Sequence, residues 1–318
     1  MNAAIVNPCA GSGAAGRRWR STARILAERL GPVKSCFTEG PGHAIQLAGE
    51  LAAAGCDLLI VAGGDGTLNE VVNGVLMARG DTRIGLLPLA SGGDFARTLG
   101  VAGMGTAVNA LAAGNCRRID VLRAQFRDTG GARTERFLVN AASIGLGGMA
   151  ARQVRSWGRF LPGRARYLAA VIAILAAGHS FRLKFGLGDS QTFVCDATTA
   201  AVANGQYQGG GIRIAPEAAI DDGAADITVV ERVSLPDVVA HLPILYSGAL
   251  YSHPKVRHWR AARVRVEAET DVPIEVDGEP VGTVPLEIEV LPQAIRVIVP
   301  SPEHLRDPGG SDGRQLPG

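Results

Sequence analysis

The sequence is short of cysteine, aromatic residues and net charge. Its 318 residues include five cysteines and 5% aromatic residues, and the net charge is +2. An odd number of cysteines without a CxxC spacing argues against both a disulfide framework and a zinc site. Reduced thiols are typical of a cytoplasmic protein. Because a nearly neutral chain has no bulk field to attract nucleic acid, no nucleic-acid partner is predicted.

Long hydrophobic runs are also missing. The longest strongly apolar run, Leu168–Ala177, has ten residues, whereas a membrane-spanning helix needs about 20. The N-terminus leads straight into a strand-like segment, Ala3–Val6, without the basic and apolar regions of a signal peptide. We therefore expect a cytoplasmic protein that meets a membrane only peripherally.

The composition is that of a folded chain, and its first part has an α/β pattern. Hydrophobic residues make up 47% and charged residues 19% of the sequence, as in globular domains. Strands are predicted at Ala3–Val6, Val33–Phe37, Asp57–Ala62, Arg83–Leu89 and Arg118–Ala124, and helices at Arg17–Leu30, Pro41–Ala54, Thr67–Met77 and Thr106–Ala113. Apolar strands separated by helices indicate a doubly wound parallel sheet. Ligands of such folds bind beyond the carboxyl ends of the strands.

After about residue 124 the pattern becomes β-rich. Strands are predicted at Phe137–Ala142, Phe181–Leu187, Thr192–Val202, Ala225–Val230, Ala262–Ala268, Pro273–Val276, Leu286–Leu291 and Ile295–Val299. Several of these alternate apolar and polar residues, which favours a C-terminal β-sandwich domain. Helical inserts are expected near Gln153–Ala177 and Leu235–Leu250. The predicted domains are 1–124 and 125–300, and the tail 301–318 either packs back on the first domain or is frayed.

Two glycine-rich loops could bind an anion. The segment Val61–Glu70 runs from an apolar strand through Gly63, Gly64 and Gly66 into a helix. Glycines let a phosphate approach the backbone closely, and free N–H groups at a helix start attract it. The alternative is an ordinary strand-to-helix turn in which Thr67 is the N-cap and Glu70 closes a capping box. A second loop, Asn7–Gly13, precedes another predicted helix, so both loops lie at the same sheet edge.

Two acidic segments could either take part in catalysis or metal binding, or simply form turns. Asp277-Gly278 between apolar strands predicts a hairpin, but Glu279 at its tip could also supply the carboxylate that accepts a hydroxyl proton. Asp221, Asp222 and Asp226 offer oxygen ligands of the kind that magnesium prefers. The alternative for them is a surface turn.

Taken together, four motifs in order resemble the diacylglycerol kinase catalytic family, which includes bacterial lipid kinases, sphingosine kinases and ceramide kinases. They are Asn7–Gly13, Gly63–Gly74, Asp94–Arg97 and Asp277–Glu279. The resemblance implies an ATP- and Mg²⁺-dependent phosphotransferase with ATP in a cleft between the two domains. It implies transfer of the γ-phosphate to the hydroxyl of a membrane lipid, either diacylglycerol-like or sphingoid.

The resemblance also implies functions for individual residues. Glu279 would be the proton acceptor, supported by Asp277 and Asp65, and Asp94 would contact the substrate. Magnesium would bind Asp222 and the carbonyl groups of Ala219 and Ala224. The nucleotide would lie against Asn7, Ser12, Gly13, Thr38, Gly63, Gly64, Asp65, Gly66, Thr67, Leu68, Asn69, Glu70 and Ser91.

Two positions depart from the family pattern. Gly93 stands where members usually have asparagine, and Gly148 stands where an acid is expected after Gly145-Leu146-Gly147. Both changes remove polar side chains from the neighbourhood of the cleft, so they bear on which lipid is accepted.

The segment Arg152–Ala177 is predicted to dock on an anionic membrane. No acidic residue occurs between Arg136 and Gly188, and five arginines are interleaved with aromatic and apolar residues before an apolar helix pattern. The alternative is a core helix at Tyr167–Ala177 preceded by a solvated basic loop. A soluble-substrate kinase of the NAD kinase-like superfamily and an inactive nucleotide-binding regulator remain alternative functions. The sequence leaves the oligomeric state open, with a homodimer among the alternatives.

Overall fold

The computed structural model describes residues 1–89, 93–101, 103–156, 163–189 and 191–301, apart from the side chains of 155, 156 and 163–168. The strands are β1 Asn2–Val6, β2 Val33–Phe37, β3 Leu58–Gly63, β4 Arg83–Pro88, β5 Cys116–Asp128, β6 Arg133–Leu138, β7 Ala141–Gly145, β8 Phe181–Leu187, β9 Gln191–Ala203, β10 Ala225–Glu231, β11 Val256–Ala261, β12 Arg263–Glu267, β13 Pro273–Val276 and β14 Glu279–Ile298. The α-helices are α1 Ala14–Leu30, α2 His43–Ala53, α3 Asp65–Met77, α4 Asp94–Thr98, α5 Met104–Ala113, α6 Leu146–Ser156, α7 Gly163–Ala176, α8 Leu235–Ala240 and α9 Ile244–Ser247.

The first part of the chain forms the predicted doubly wound parallel sheet. Its strand order is β2-β1-β3-β4, and every neighbouring pair is parallel. The chain moves outward from β1 to β2 and then back past β1 to β3. Right-handed crossovers therefore put α1 on the face opposite to α2 and α3. All six residues of β3 are buried, as expected for a strand covered on both faces.

The second part forms the predicted β-sandwich. The strands β7, β9, β8, β12, β14 and β13 pair in a closed circuit, so its two layers are joined at both edges. Inward-facing apolar residues from these strands make a core separate from that of the first domain. The two helical inserts appear as the pairs α6 and α7, and α8 and α9.

The long strand β14 connects the two parts. Near its start it pairs with β13 and along its length with β5. Its last residues, Arg296 and Val297, pair in parallel with β4. Val297 is fully buried in the core of the first domain. The predicted boundary at residue 124 falls inside β5, and Arg296 and Val297 add to the first sheet although they lie near the end of the described chain.

Several predicted elements have different bounds. The strand predicted at Phe137–Ala142 is the end of β6 and the start of β7, because the backbone between them turns to hydrogen-bond a side chain. The strands predicted at Leu286–Leu291 and Ile295–Val299 are one strand, β14. The sequence pattern missed α4 and β11, which are short or weakly apolar. Within the described ranges, no helix is long and apolar enough to span a bilayer.

Val297→Ala should destabilise the first domain although the residue belongs to the last strand. Removing two methyl groups from a closed core costs about 2 kcal/mol of unfolding free energy. Hydrogen exchange should rise in β4, its neighbour in the sheet. Val299→Ala, at a half-buried neighbouring position, is the control and should cost less. Equal losses from the two variants would show that β14 does not stabilise this core.

Candidate active site

The glycine loop between β3 and α3 lies at the carboxyl edge of the first sheet. Helix α3 begins at Asp65, and its N-cap is Gly64, which is extended and supplies no side-chain cap. The first-turn N–H groups of α3 are therefore not satisfied by a cap. Gly63 must be a glycine because a Cβ there would lie 2.6 Å from Oγ1 of Thr67.

The predicted capping box in this loop is wrong. Thr67 lies inside the first turn, where its Oγ1 accepts a hydrogen bond of 3.1 Å from Nδ2 of Asn7. The carboxylate of Glu70 accepts the backbone N–H groups of Gly42 at 2.9 Å and Ala44 at 3.0 Å. Glu70 thus caps the start of α2 instead of its own helix, and it ties two helices together.

The second predicted loop lies beside the first. Helix α1 begins after Gly13, again without a side-chain cap, and Ser12 and Gly13 have φ angles of 57° and 84°. Asn7 joins this loop to Thr67, and the N–H of Thr38 extends the pairing of β2 with β1 by donating to Val6 O at 2.9 Å. The first-turn N–H groups of α1 already donate to the carbonyl groups of Pro8, Ala10 and Gly11. Of these two helix starts, that of α3 is therefore the one suited to phosphate groups.

Two of the predicted nucleotide residues have side chains that lie elsewhere, and a third is not described. The side chain of Leu68 is buried in the core of the first domain. Asn69 points away from the loop and donates from Nδ2 to Phe137 O at 2.8 Å and to Asp277 Oδ2 at 2.9 Å. Ser91 is among residues 90–92, which lie outside the described residues.

Asp277 has a buried carboxylate that forms hydrogen bonds to both domains. Its carboxylate accepts the side-chain N–H of Asn69 and the backbone N–H groups of Val139, Asn140 and Ala141 at 3.0–3.2 Å. Burial raises the pKa of Asp277 to about 6, and the hydrogen bonds oppose the rise, so the group is a carboxylate at neutral pH. The predicted hairpin is present, since Val276 pairs with Glu279, but its first acid is not solvated.

Asp65 and Asp94 form a second connection across the domains. The carboxylate of Asp65 accepts the N–H groups of Asp94 at 3.0 Å and Phe95 at 3.2 Å, so it caps α4. Asp94 in turn accepts Nη1 of Arg97 and the N–H of Gly210, both at 2.8 Å. Gly210 belongs to the second domain. Burial raises the pKa of Asp94.

Glu279 differs from these three acids because its carboxylate faces the cleft. Its side chain is 44% exposed. A Cβ built on Gly66 would lie 3.6 Å from its Oε1, so the carboxylate lies over the first turn of α3. Nη1 of Arg136 lies 3.5 Å from its Oε2. Arg136 is not among the site residues predicted from the sequence, although it marks the start of the acid-free stretch.

Glu275 is a further acid that the sequence analysis missed. It is 2% exposed, and Gln208 Nε2 donates to its Oε1 at 3.2 Å. Burial raises the pKa of Glu275 to about 7, with smaller contributions from Asp277 and Asp94. Strand alternation was the available signal, because Glu275 and Asp277 lie on one face of the hairpin arm and Ile274 and Val276 on the other.

An apolar cavity of about 150 Å³ lies next to these acids in the second domain. Its inner wall includes Ser143, Gly147, Gln208 and Gly209, which are neighbours of Glu275 and of Gly210. Most of its other lining residues are aliphatic, for example Val171, Leu175, Val230, Ile244 and Leu245. The cavity therefore connects the helical inserts with the acidic side of the cleft.

The predicted metal turn does not fit a cation in its present arrangement. One carboxylate oxygen of Asp222 is paired with Arg260, and the other accepts the N–H of Ala224 at 3.1 Å. Asp221 is paired with Arg117 at 2.6 Å. Within the described ranges, no three His, Cys, Asp or Glu side chains cluster as metal ligands. Magnesium at Ala219, Asp222 and Ala224 would first have to displace Arg260.

The position of Gly148 explains why the expected acid is missing there. A Cβ at Gly148 would lie 2.5 Å from the carbonyl oxygen of Pro273, because α6 packs directly on β13. The backbone leaves no room for a side chain. Gly93, the other departure, is the N-cap of α4 with a φ of 67°, a conformation that asparagine also tolerates.

Two family models match the chain. The diacylglycerol kinase catalytic domain matches residues 2–124. The YegS C-terminal NAD kinase beta sandwich-like domain matches residues 140–299.

Named relatives are similar to this sequence along most of its length. A Pseudomonas aeruginosa protein classed as a YegS-like lipid kinase is 29% identical, over 92% of this chain and 91% of the relative. One of the same class from Shewanella frigidimarina is 30% identical, over 76% of each. A diacylglycerol kinase of Mycobacterium tuberculosis is 28% identical, over 93% of this chain and 94% of the relative.

Solved structures share the fold. A Bacillus anthracis protein classed as a diacylglycerol kinase superposes with a TM-score of 0.76 at 26% identity, covering 96% of this chain and 98% of that chain. An NAD kinase from Archaeoglobus fulgidus, solved with ATP, has a TM-score of 0.51 at 10% identity, covering 95% and 94%. The second likeness concerns the fold alone.

Asp277→Asn should lower the free energy of unfolding by about 3 kcal/mol at pH 8, because the amide NH₂ would face N–H donors that now meet a carboxylate. Chemical denaturation measures the change. Glu279→Gln, two residues further along the hairpin and half exposed, should change stability little. A stable but inactive Asp277→Asn variant would instead make Asp277 part of the chemistry.

Proposed function

The chain belongs to the diacylglycerol kinase catalytic family, and from that premise we propose that it phosphorylates the hydroxyl group of a membrane lipid. Members of this family are kinases, which transfer phosphate to an alcohol group and use ATP as the donor. The proposed acceptor is diacylglycerol-like or sphingoid. The single observation that carries this choice is the apolar cavity beside the acidic cleft.

The cavity favours a lipid over a soluble acceptor. A nucleotide or sugar acceptor needs polar groups along its binding site, because its own polar atoms lose water on binding. The residues that line this cavity are mostly aliphatic, and the polar side chains at its inner wall are those of Ser143 and Gln208. An acyl or alkyl chain in the cavity would leave its polar end at Ser143 and Gln208, close to the acids.

The proposed nucleotide site is the edge formed by the two glycine loops. The uncapped start of α3 would bind the phosphate groups through backbone N–H donors. Arg17, which donates to Ser12 O at 3.3 Å, adds a positive charge at this edge. Magnesium, which accompanies nucleoside triphosphates, would neutralise phosphate charge there.

The proposed proton acceptor is Glu279. As the lipid oxygen bonds to the γ-phosphorus, its proton passes to the Glu279 carboxylate and the bond to the ADP oxygen breaks. Asp65, Asp94 and Asp277 cannot easily do this, because each already accepts two or more N–H groups. Arg136, 3.5 Å from Glu279, is a cation that could turn toward the transferred phosphate.

Glu279→Ala should reduce phosphate transfer from ATP to lipid by about 10³-fold, the usual contribution of a general base, and leave ATP affinity nearly unchanged. Transfer of labelled phosphate into diacylglycerol and sphingoid bases in anionic micelles, with products identified, measures it. Glu287→Ala is the matched control, because Glu287 lies on the same strand with 43% exposure and arginine partners. Full activity of Glu279→Ala would exclude Glu279 as the base. Absence of transfer by the unaltered protein, with ATP bound, would contradict the lipid kinase proposal.

The proposed membrane-docking surface surrounds the cavity on the helical inserts. Ile172 of α7, Val239 of α8, and Leu242 and Tyr246 nearby are 42–64% exposed. Their sequence neighbours Val171, Val238 and His241 line the cavity. Exposed apolar side chains beside a basic segment suit insertion at an anionic interface. Of the arginines predicted to contribute, Arg155, Arg159, Arg164 and Arg166 have side chains outside the described residues.

Replacing Arg155, Arg159 and Arg164 with glutamate should abolish binding to anionic liposomes, because each basic residue contributes about 1 kcal/mol at such a surface. Sedimentation with phosphatidylserine vesicles measures binding. The control carries the same change at Arg20, Arg24 and Arg29, which are exposed on α1, and should still bind. Undiminished binding of the first variant would place the docking surface elsewhere.

A further inference from the structure

Glu275 is a buried acid that neither the proposed phosphate transfer nor the domain junction uses. Its carboxyl group accepts a hydrogen bond at Oε1 from Gln208, and the backbone N–H of Gly278 also hydrogen-bonds to this group. Its other oxygen, Oε2, is buried and lacks a hydrogen-bond partner among the described residues. An unpaired buried oxygen of this kind is costly, so its retention calls for a ligand or a functional reason.

Glu275 lies at the inner end of the apolar cavity. Ser143 is its neighbour in the pairing of β7 with β13, and Gln208 is its hydrogen-bond partner. Both of these residues line the cavity. Gly147, also in the lining, has no side chain, and a Cβ there would lie 3.4 Å from Oε2. The free oxygen is thus separated from the cavity by little more than a glycine backbone.

Charged groups around Glu275 oppose its ionisation. Burial is the largest effect, and Asp277, directly after β13, and Asp94 across the domain junction are both negative neighbours; the hydrogen bonds from Gln208 and Gly278 act in the opposite direction and lower the pKa. Arg97 is paired with Asp94. Helix α6, which packs on β13, contains no acid, and its Arg152 donates to Gly282 O at 2.7 Å. With a pKa of about 7, the carboxyl is largely protonated at pH 6 and largely ionised above pH 8.

We propose that Glu275 is a specificity-determining residue whose neutral carboxyl donates a hydrogen bond to an ester carbonyl oxygen of the acceptor lipid. The inference rests on the lipid kinase function proposed above. A lipid with its chains in the cavity and its hydroxyl at Glu279 must place the intervening atoms near Glu275. In a glycerolipid those atoms include ester carbonyls, which only accept hydrogen bonds. In a sphingoid base they include an ammonium group, which would require a carboxylate.

The experiment compares a diacylglycerol with its dialkyl ether analogue, which has the same hydroxyl and chains but no carbonyl groups. The full chain is assayed with each lipid in anionic micelles at pH 6 and pH 8.5, and the ratio of the two kcat/KM values is taken. Because both lipids use the same base, the ratio cancels the titration of Glu279. At pH 6 we expect the diacyl lipid to be favoured about tenfold. The preference should largely disappear at pH 8.5, where Glu275 has lost its proton.

Variants distinguish the contribution of the hydrogen bond to the diacyl preference from the contribution of packing in the cavity. Glu275→Gln keeps an N–H donor, so its preference should persist at both pH values. Glu275→Leu should lower the ratio to about one at pH 6 by losing activity on the diacyl lipid only. Leu245→Ala, an apolar change in the same cavity, is the control. It should lower kcat/KM for the two lipids by the same factor and leave their ratio unchanged. The pH series uses the unaltered protein, so it tests the inference even if Glu275→Leu fails to fold.

Three results would overturn the inference. One is a ratio independent of pH in the unaltered protein, and another is an unchanged ratio in Glu275→Leu. The third is a preference for sphingoid bases that Glu275→Gln abolishes, which would make Glu275 an anionic ligand for the ammonium group. If no lipid is phosphorylated under conditions where ATP binds, the proposed function fails and this inference fails with it.

Discussion

The structure depends on one buried carboxylate at the domain junction. Asp277 accepts N–H groups from Asn69 in the first domain and from residues 139–141 in the second. These bonds end β6, begin β7 and fix the hairpin between β13 and β14. Since Glu279 follows in the same hairpin, the position of the cleft carboxylate over α3 is set by the contacts of Asp277.

The acids near the cleft divide by what already surrounds them. Asp65 caps α4, Asp94 connects that helix to Gly210, and Asp277 closes the junction. These three carboxylates have their hydrogen-bonding capacity occupied by the protein, and this makes them suited to positioning. Glu279 retains solvent access and a loosely placed arginine, which makes it suited to proton transfer. The same chemical group is thus suited to positioning or to proton transfer, according to the hydrogen-bond donors around it.

The second domain contributes an environment as well as a catalytic group. Its helical inserts present exposed apolar side chains outside and line a cavity inside, and the inner wall of the cavity includes Gln208, the hydrogen-bond partner of Glu275. Close packing of α6 on β13 excludes a side chain at Gly148. If the proposed function is right, the polar part of the lipid is recognised instead by Glu275 of β13, the strand on which α6 packs.

Local patterns in the sequence were sufficient for the fold class and for the two glycine loops. Burial on both faces of parallel strands and the conformational needs of glycine act over a few residues, so they leave a local trace. The hairpin at Asp277-Gly278 was also predictable for this reason. The partners of Thr67, Asn69, Glu70 and Asp277 were not, because each bonds to a group 26 or more residues away. Only the folded chain decides that Glu70 caps a different helix, that β14 pairs with the first sheet, and that Glu275 lies behind the wall of a cavity, since these depend on packing between distant segments.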